Sequence, residues 1–431
     1  MGSIKLLSKV VFALFLFSLL MIPKLTKAAD WTRIISNGEI AGTTDNYGIL
    51  DIEYFNGSTY IMTVYGEDYH PRIFKFDGTN WTNITSDSFG GVITFGELGA
   101  TNIMTIYDGL PCFGGSEDLF DSATVYCYSG SGNIWSQINQ NGFGADDFYV
   151  RKLVTFNGSL YASSIAIEGA RVWKYDGSGT GWTQINVDNF GQEIGEVGLE
   201  LFLSYIVEYN GSLYTSTYSD SGPGLWKYSG SGTEWSAIDM TGIGNNPHSL
   251  IINMSAFKGN LYAITVDLFE LADDTSEIWR YNGTNWEREL TCGESHACSG
   301  FLWDMTNYKD RYLYASTVNL SDNASKVMQS EDGQNWSDTE VINFGVDHSS
   351  VMSLGIMGEN SYLLAGTFSE NGAELWMKEI PPLVTPSVAT LPATGSEATN
   401  QKPFYIIIVL VFSSILIIVG SYQKKFSSRE R

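Results

Sequence analysis

Four histidines occur in this chain, His70, His248, His296 and His348. Imidazole is the side chain best suited to metal ligation or to proton transfer near neutral pH. Asp347 adjoins His348, so three histidines and one carboxylate supply the donors that a divalent metal or an acid–base site requires. A second chemistry is suggested where aromatic residues stand beside carboxylates. Asp146, Asp147, Phe148 and Tyr149 form one such run, and similar runs fall at 67–70, 115–122 and 267–274. Ring faces of this kind stack on sugars while Asp or Glu accepts hydroxyl protons, so these residues suit a glycan. The same residues also populate ordinary solvated loops. No cofactor motif is present, and no D-x-[DN]-x-[DN]-G calcium loop occurs. Calcium or another divalent metal is the cofactor that the acidic composition leaves open.

These residues can act together only if one scaffold holds them, and the sequence repeats a single phrase along most of its length. RVWKYDGSGTGWTQIN at 171–186 returns as LWKYSGSGTEWSAID at 225–239, IWRYNGTNWEREL at 278–290 and IFKFDGTNWTNIT at 73–85. A degraded copy, VYCYSGSGNIWSQIN, lies at 125–139. Alternating aromatic residues lead into a Gly-rich turn and Trp opens the next strand, which is the pattern of a β-hairpin. A second phrase precedes each copy: FNGSTY at 55–60, FNGSLY at 156–161, YNGSLY at 209–214 and FKGNLY at 257–262. Its Asn-Gly suits a type I′ turn between two further strands.

Trp81, Trp135, Trp182, Trp235, Trp286 and Trp336 mark the period. A repeat of about fifty residues holding four short strands is the signature of a β-propeller blade. Phe89, Phe143, Phe190 and Phe344, each followed by Gly, come after Trp at a fixed interval. The final unit, 349–380, ends before a closing Trp strand, and DWTRII at 30–35 supplies one. The expected fold is therefore all-β: a seven-bladed β-propeller of four-stranded blades over 29–380, its last blade completed by the N-terminal strand. His248, His296 and His348 then fall in connections leading into successive blades near the axis, with His70 in a loop of the same face. Asp146, Asp147, Phe148 and Tyr149 stand at the start of the third blade, near the axial mouth. Cys112 and Cys127 occupy neighbouring strands, and Cys292 and Cys298 flank a short connection. Neither pair has zinc-site spacing, so two structural disulfides are expected.

Composition agrees with an exported chain. Aromatics reach 14% and the formal net charge is −24, a field that repels nucleic acid. Residues 1–28 read as a secretory signal, with Lys5 and Lys9 ahead of an apolar run and Thr26 and Ala28 suiting cleavage. That run is too short to span a bilayer comfortably. Beyond the repeats, a Pro/Thr-rich linker at 381–395 ends in Leu391, Pro392, Ala393, Thr394 and Gly395. A spacer at 396–403, an apolar run at 404–422 and a basic tail at 423–431 follow. The run is long enough to cross a membrane, and the tail would stay cytoplasmic.

This order of elements resembles the LPxTG sorting signal of Gram-positive-type surface proteins. The resemblance implies that a sortase cysteine attacks the Thr394 carbonyl, releases Gly395 onward and joins the chain to a cell-wall amine. Sortase and, covalently, peptidoglycan would then be partners, and the ring would stand outside the cell. The body is similar to kelch-type and Asp-box propellers in repeat length. SEDGQNW at 330–336 is similar to the Asp box S-x-D-x-G-x-x-W with one residue missing, and that box is a structural turn; regular kelch Gly-Gly doublets are missing. Two functions from different classes are expected of such a chain. One is a binding or adhesion module that recognises a glycan or another surface ligand through its loops, favoured because no nucleophile motif is present. The other is a surface-anchored carbohydrate hydrolase or lyase with its site at the axis.

Overall fold

Aromatic and β-branched residues alternate along each repeat, and they form short antiparallel strands wherever the alternation is bounded by Gly or Asn-Gly. The computed structural model describes residues 31–381, apart from 67–69, 87–88, 90–91, 93–102, 118–121, 193–204, 220–221, 241–242, 246–248, 268–274, 294–297, 299, 319–324, 340–349 and 360. The expected signal and the sorting region with its apolar run lie outside the described residues. Among the described residues no helix is long and apolar enough to cross a membrane.

Five separate four-stranded sheets run from Met104–Tyr107 to Trp135–Gln137, Tyr149–Phe156 to Trp182–Gln184, Ile206–Tyr209 to Trp235–Asp239, Ser249–Phe257 to Trp286–Cys292, and Phe301–Tyr308 to Trp336–Asp338. An eight-stranded sheet holds two further groups of strands. One runs from Asn46–Phe55 to Trp81–Asn83. The other joins Ser350–Met357, Tyr362–Phe368 and Leu375–Glu379 to the N-terminal strand Thr32–Ile35. Thr32 pairs with Met377 and Arg33 with Trp376, so the first strand does complete the last group. Trp31 is buried against Tyr308, Tyr312 and Tyr314, and Arg33 Nη1 donates to Glu374 at 2.6 Å. The strand pairing that joins the two groups of the large sheet is one residue pair, Gly48 with Phe368. A Cβ on Gly48 would lie 2.5 Å from the Phe368 ring, and glycine alone allows that approach.

The turns follow their chemistry. Asn56–Gly57, Asn157–Gly158 and Asn210–Gly211 all have positive φ at both residues, as a type I′ turn demands. Between sheets, the repeated Trp reaches back to its predecessor. Trp135, Trp182 and Trp235 donate Nε1–H to the carbonyls of Ile84, Ile138 and Ile185 at 2.7, 2.8 and 2.7 Å. Phe143 and Phe190 hold φ of 55° and 56°, which costs a bulky residue about 1–2 kcal/mol. Their rings stack at 5.0 Å on Trp173 and Trp226 of the next sheet, and that aromatic contact offsets the strain.

The two expected disulfides are present. Cys112 and Cys127 face each other across antiparallel strands. Cys292 and Cys298 close a short loop after strand Trp286–Cys292. The Asp-box-like turn also forms: Asp332 Oδ1 accepts from the backbone N–H of Gln334 and Asn335 at 2.8 and 2.7 Å. Those bonds hold its carboxyl well below the usual carboxylate range.

Candidate functional site

The first strand of each group lies beside the first strands of its neighbours, and most of these strands share one irregularity. Register shifts fall between Ile49 and Asp51, Val150 and Lys152, Ile251 and Asn253, Leu302 and Met305, and Val351 and Ser353. A bulge of this kind re-aims the residues that follow it. Counted back from the following turn, Asp51, Lys152, Tyr205, Asn253, Asp304 and Ser353 occupy one equivalent slot.

Polar groups in this slot bind the groups of strands to each other. Asp51 Oδ2 accepts from Met104 N–H at 2.6 Å. Asp304 accepts from Asn253 Nδ2 at 2.9 Å on one side and from Leu354 N–H at 2.7 Å on the other. Ser353 Oγ donates to the Ile49 carbonyl at 2.8 Å. The slot and the residues just beyond it line a cavity of about 360 Å³, with Glu53, Lys152, Tyr205, Ser255, Asp304 and Thr306 in its wall. It lies toward the ends of the first strands that run into the hairpin turns.

Two carboxyls and one ammonium share this wall, and the buried Asp51 carboxyl lies close enough to act on them. Burial pushes Asp51 up to about 7, against the pull of Lys152 and of the Met104 and Ile52 N–H groups. Burial, and then the neighbouring Asp51 charge, push Glu53 up to about 8, again against Lys152. Burial works to lower the Lys152 ammonium, but attraction to Tyr205, Asp51, Glu53 and Asp304 outweighs it and leaves it raised. Lys152 Nζ sits 5.2 Å from the centre of the Tyr205 ring. Burial raises the Tyr205 phenol, with Lys152 opposing. Such a cavity can bind a polar ligand and can exchange protons with it near neutral pH.

The residues expected from spacing lie elsewhere. His248, His296, His348 and Asp347 fall outside the described residues. His70 opens the strand His70–Phe76, and its Nδ1 lies 3.1 Å from the Val92 carbonyl oxygen. Phe148 and Tyr149 are each 4% exposed and pack in a core with Phe113 and Ile165. This corrects the expected stacking platform, because neither ring has a free face. Asp147 is wholly buried. It accepts from Arg171 at 2.8 Å and from Trp173 Nε1 at 3.1 Å, and Ser164 completes its shell. Arg171 also pairs with Asp146, with Glu168 at 3.0 Å and with Asp188 at 2.8 Å. Asp146 is half-exposed, and Arg171 holds its carboxyl below the usual range. The two aspartates thus serve an internal ion-pair network. Among the described residues no three His, Cys, Asp or Glu side chains are placed to hold a metal ion.

The axial residues were missed because each reads alone as a polar interruption in an apolar strand. The signal that finds them is alignment of the repeats on their turns, which brings Asp51, Lys152 and Asp304 into one column.

No known protein family matches this chain, and no characterised protein matches it by sequence. Solved structures do resemble it. An oligogalacturonate lyase in complex with manganese aligns with a TM-score of 0.51 at 9% identity, over 83% of this chain and 99% of that one. The polysaccharide lyase Uly1 aligns with a TM-score of 0.50 at 11% identity, over 82% and 100%. The extracellular domain of a one-component system protein from B. thetaiotaomicron aligns with a TM-score of 0.50 at 13% identity, over 78% of this chain but only 39% of that one. Identities this low speak for the fold alone, and that fold is an all-β architecture of the β-propeller kind.

Proposed function

We propose that this chain is an extracellular glycan-binding module: a closed ring of seven four-stranded blades that holds its ligand in the axial cavity. The cavity carries the reading. Its volume of about 360 Å³ falls within the roughly 300–1,000 Å³ of small-ligand sites. An ammonium, two carboxyls, a phenol and two hydroxyls converge there from different strands, as recognition of a many-hydroxyl ligand requires. The module is anchored to the cell wall. Sortase would act at Thr394 within Leu391–Gly395, and peptidoglycan would be the covalent partner. The order of motif, apolar run and basic tail supports this part.

A second reading, a surface-anchored carbohydrate-active enzyme, has one observation in its favour. Glu53 titrates at about 8 within the cavity, close to the pH at which an acid–base catalyst works. Incubating the full chain with labelled oligosaccharides separates the two. Retention of an unaltered oligosaccharide supports the binder, while shortened or unsaturated products establish the enzyme. Neither retention nor products, across a broad glycan set, would remove both readings.

A further inference from the structure

We propose that the axial cavity selects an electrically neutral, polyhydroxylated sugar ring, contacted by Glu53 and Lys152, and rejects sugars that carry a carboxylate. This rests on the glycan reading above and adds the charge class of the ligand.

Two of the carboxyls are already committed to backbone and side-chain partners. Asp304 accepts from Met305 N–H, Leu354 N–H and Asn253, and Asp51 accepts from Ile52 N–H and Met104 N–H. Both are fasteners between strands, with almost no exposure. Glu53 differs. It is half-buried in the cavity wall, and burial and charge alone act on it, with no hydrogen bond among the described residues. It is therefore the carboxyl free to meet a ligand. Among the described residues of the wall Lys152 is the one cation, and it is also half-buried.

Charge then decides the class. An incoming carboxylate would have to share the Lys152 ammonium with Tyr205, Asp51, Glu53 and Asp304, which already hold it, and charge on Asp51 or Asp304 would repel it in a space where like charges repel more strongly than in water. A neutral ring avoids that repulsion and needs no counter-charge. Its hydroxyls can accept from Lys152 and both give to and accept from Glu53, with Ser255 and Thr306 beside them.

The test is an array of neutral and uronate-bearing glycans, probed with the full chain in a sugar-free detergent. Affinity for the best neutral ligand should exceed that for any uronate by about tenfold or more, roughly 1.4 kcal/mol. Equal or tighter binding of a uronate overturns the selectivity while leaving glycan binding intact. Silence from all classes overturns the glycan reading itself. Glu53→Ala should weaken the best neutral ligand by about tenfold, whereas Glu53→Gln, which keeps a donor and an acceptor, should cost about threefold or less. Equal losses in both variants, or no loss in either, would remove Glu53 from the contact. Melting curves confirm that each variant is folded before it is compared.

Discussion

Glu53 should make this protein more stable in mild acid than in mild base. An unfolded Glu ionises near 4.3, whereas the folded chain keeps the Glu53 proton up to about 8. Between these values the folded state binds the extra proton, so each rise in pH favours unfolding, and the loss is complete above the folded value. At 1.36 kcal/mol for each unit of pKa, the full interval sets an upper bound of about 5 kcal/mol. The shared repulsion with Asp51 means that removing one charge relieves both groups, so about 2–4 kcal/mol is the working expectation. Glu53→Gln keeps the shape of the side chain and removes the ionisation. Urea melts of both proteins near pH 5 and near pH 8.5 should show nearly equal midpoints in acid. In base the variant should have the higher midpoint, with an unchanged slope. The acid side has its own limit, because Asp45, Asp146 and Asp188 are held low by Arg72 and Arg171. What they contribute is present above the unfolded Asp value and is lost as pH falls toward their folded values. Parallel pH profiles for the two proteins would refute the placement of a strained carboxyl at Glu53. So would a wild type that is more stable in base than in acid.

Three other outcomes follow from the fold and the termini. Deleting 30–35 removes the strand that pairs with Leu375–Glu379 and the buried Trp31. It should destabilise by about 4–6 kcal/mol as an upper bound and expose a sheet edge, so an unchanged melting temperature would contradict closure. Replacing Cys112 and Cys127 together by Ser opens a link with sequence separation 15. It should cost about 3 kcal/mol in a denaturant melt, and equal midpoints would show that the link adds nothing. Thr394→Ala should move the protein from the wall fraction to the membrane fraction, and wall attachment that survives the change would end the sorting-signal reading.

Much of the scaffold was legible because its determinants are local. Asn-Gly sets φ at its own two residues, and the alternation of Trp173, Tyr175 and Trp182 is visible within one phrase. Closure by the N-terminal strand was legible because DWTRII repeats the same phrase. Phe148 and Tyr149 were misplaced for a physical reason: an aromatic residue beside an acid looks the same in a solvated loop and at the start of a buried strand. Tyr149 opens the strand Tyr149–Phe156, so its ring goes inward between sheets. The partner that neutralises Asp147, Arg171, lies on another strand, and no local spacing reveals it. Glu53, Lys152 and Asp304 were hidden similarly, since their meaning lies in a volume that distant strands share.

Two slots of the repeat are filled under different rules. In the slot that joins the second and third strands, Tyr60 lies under Lys75, Tyr161 under Lys174 and Tyr214 under Lys227, with ammonium-to-ring distances of 5.8, 5.9 and 5.7 Å. Cys112 and Cys127 take the same two places with a covalent bond instead. Each pair acts only within its own sheet, so the same solution can recur and the exception changes nothing next door. The axial slot obeys a different constraint. Asp51, Lys152, Tyr205 and Asp304 act on one another's ionisation across the ring, so a residue there cannot be chosen independently of the others. Aspartate at every position would gather like charges in a poorly solvated space, and only Lys152 relieves that repulsion. An apolar residue can also fill the slot, as Ile103 does in the equivalent place with no exposure. Asp51 and Asp304 are used to hold strands, since their carboxyls bond neighbouring groups. Glu53 stands two residues beyond the slot and makes no such bond among the described residues, which leaves it for the proposed ligand.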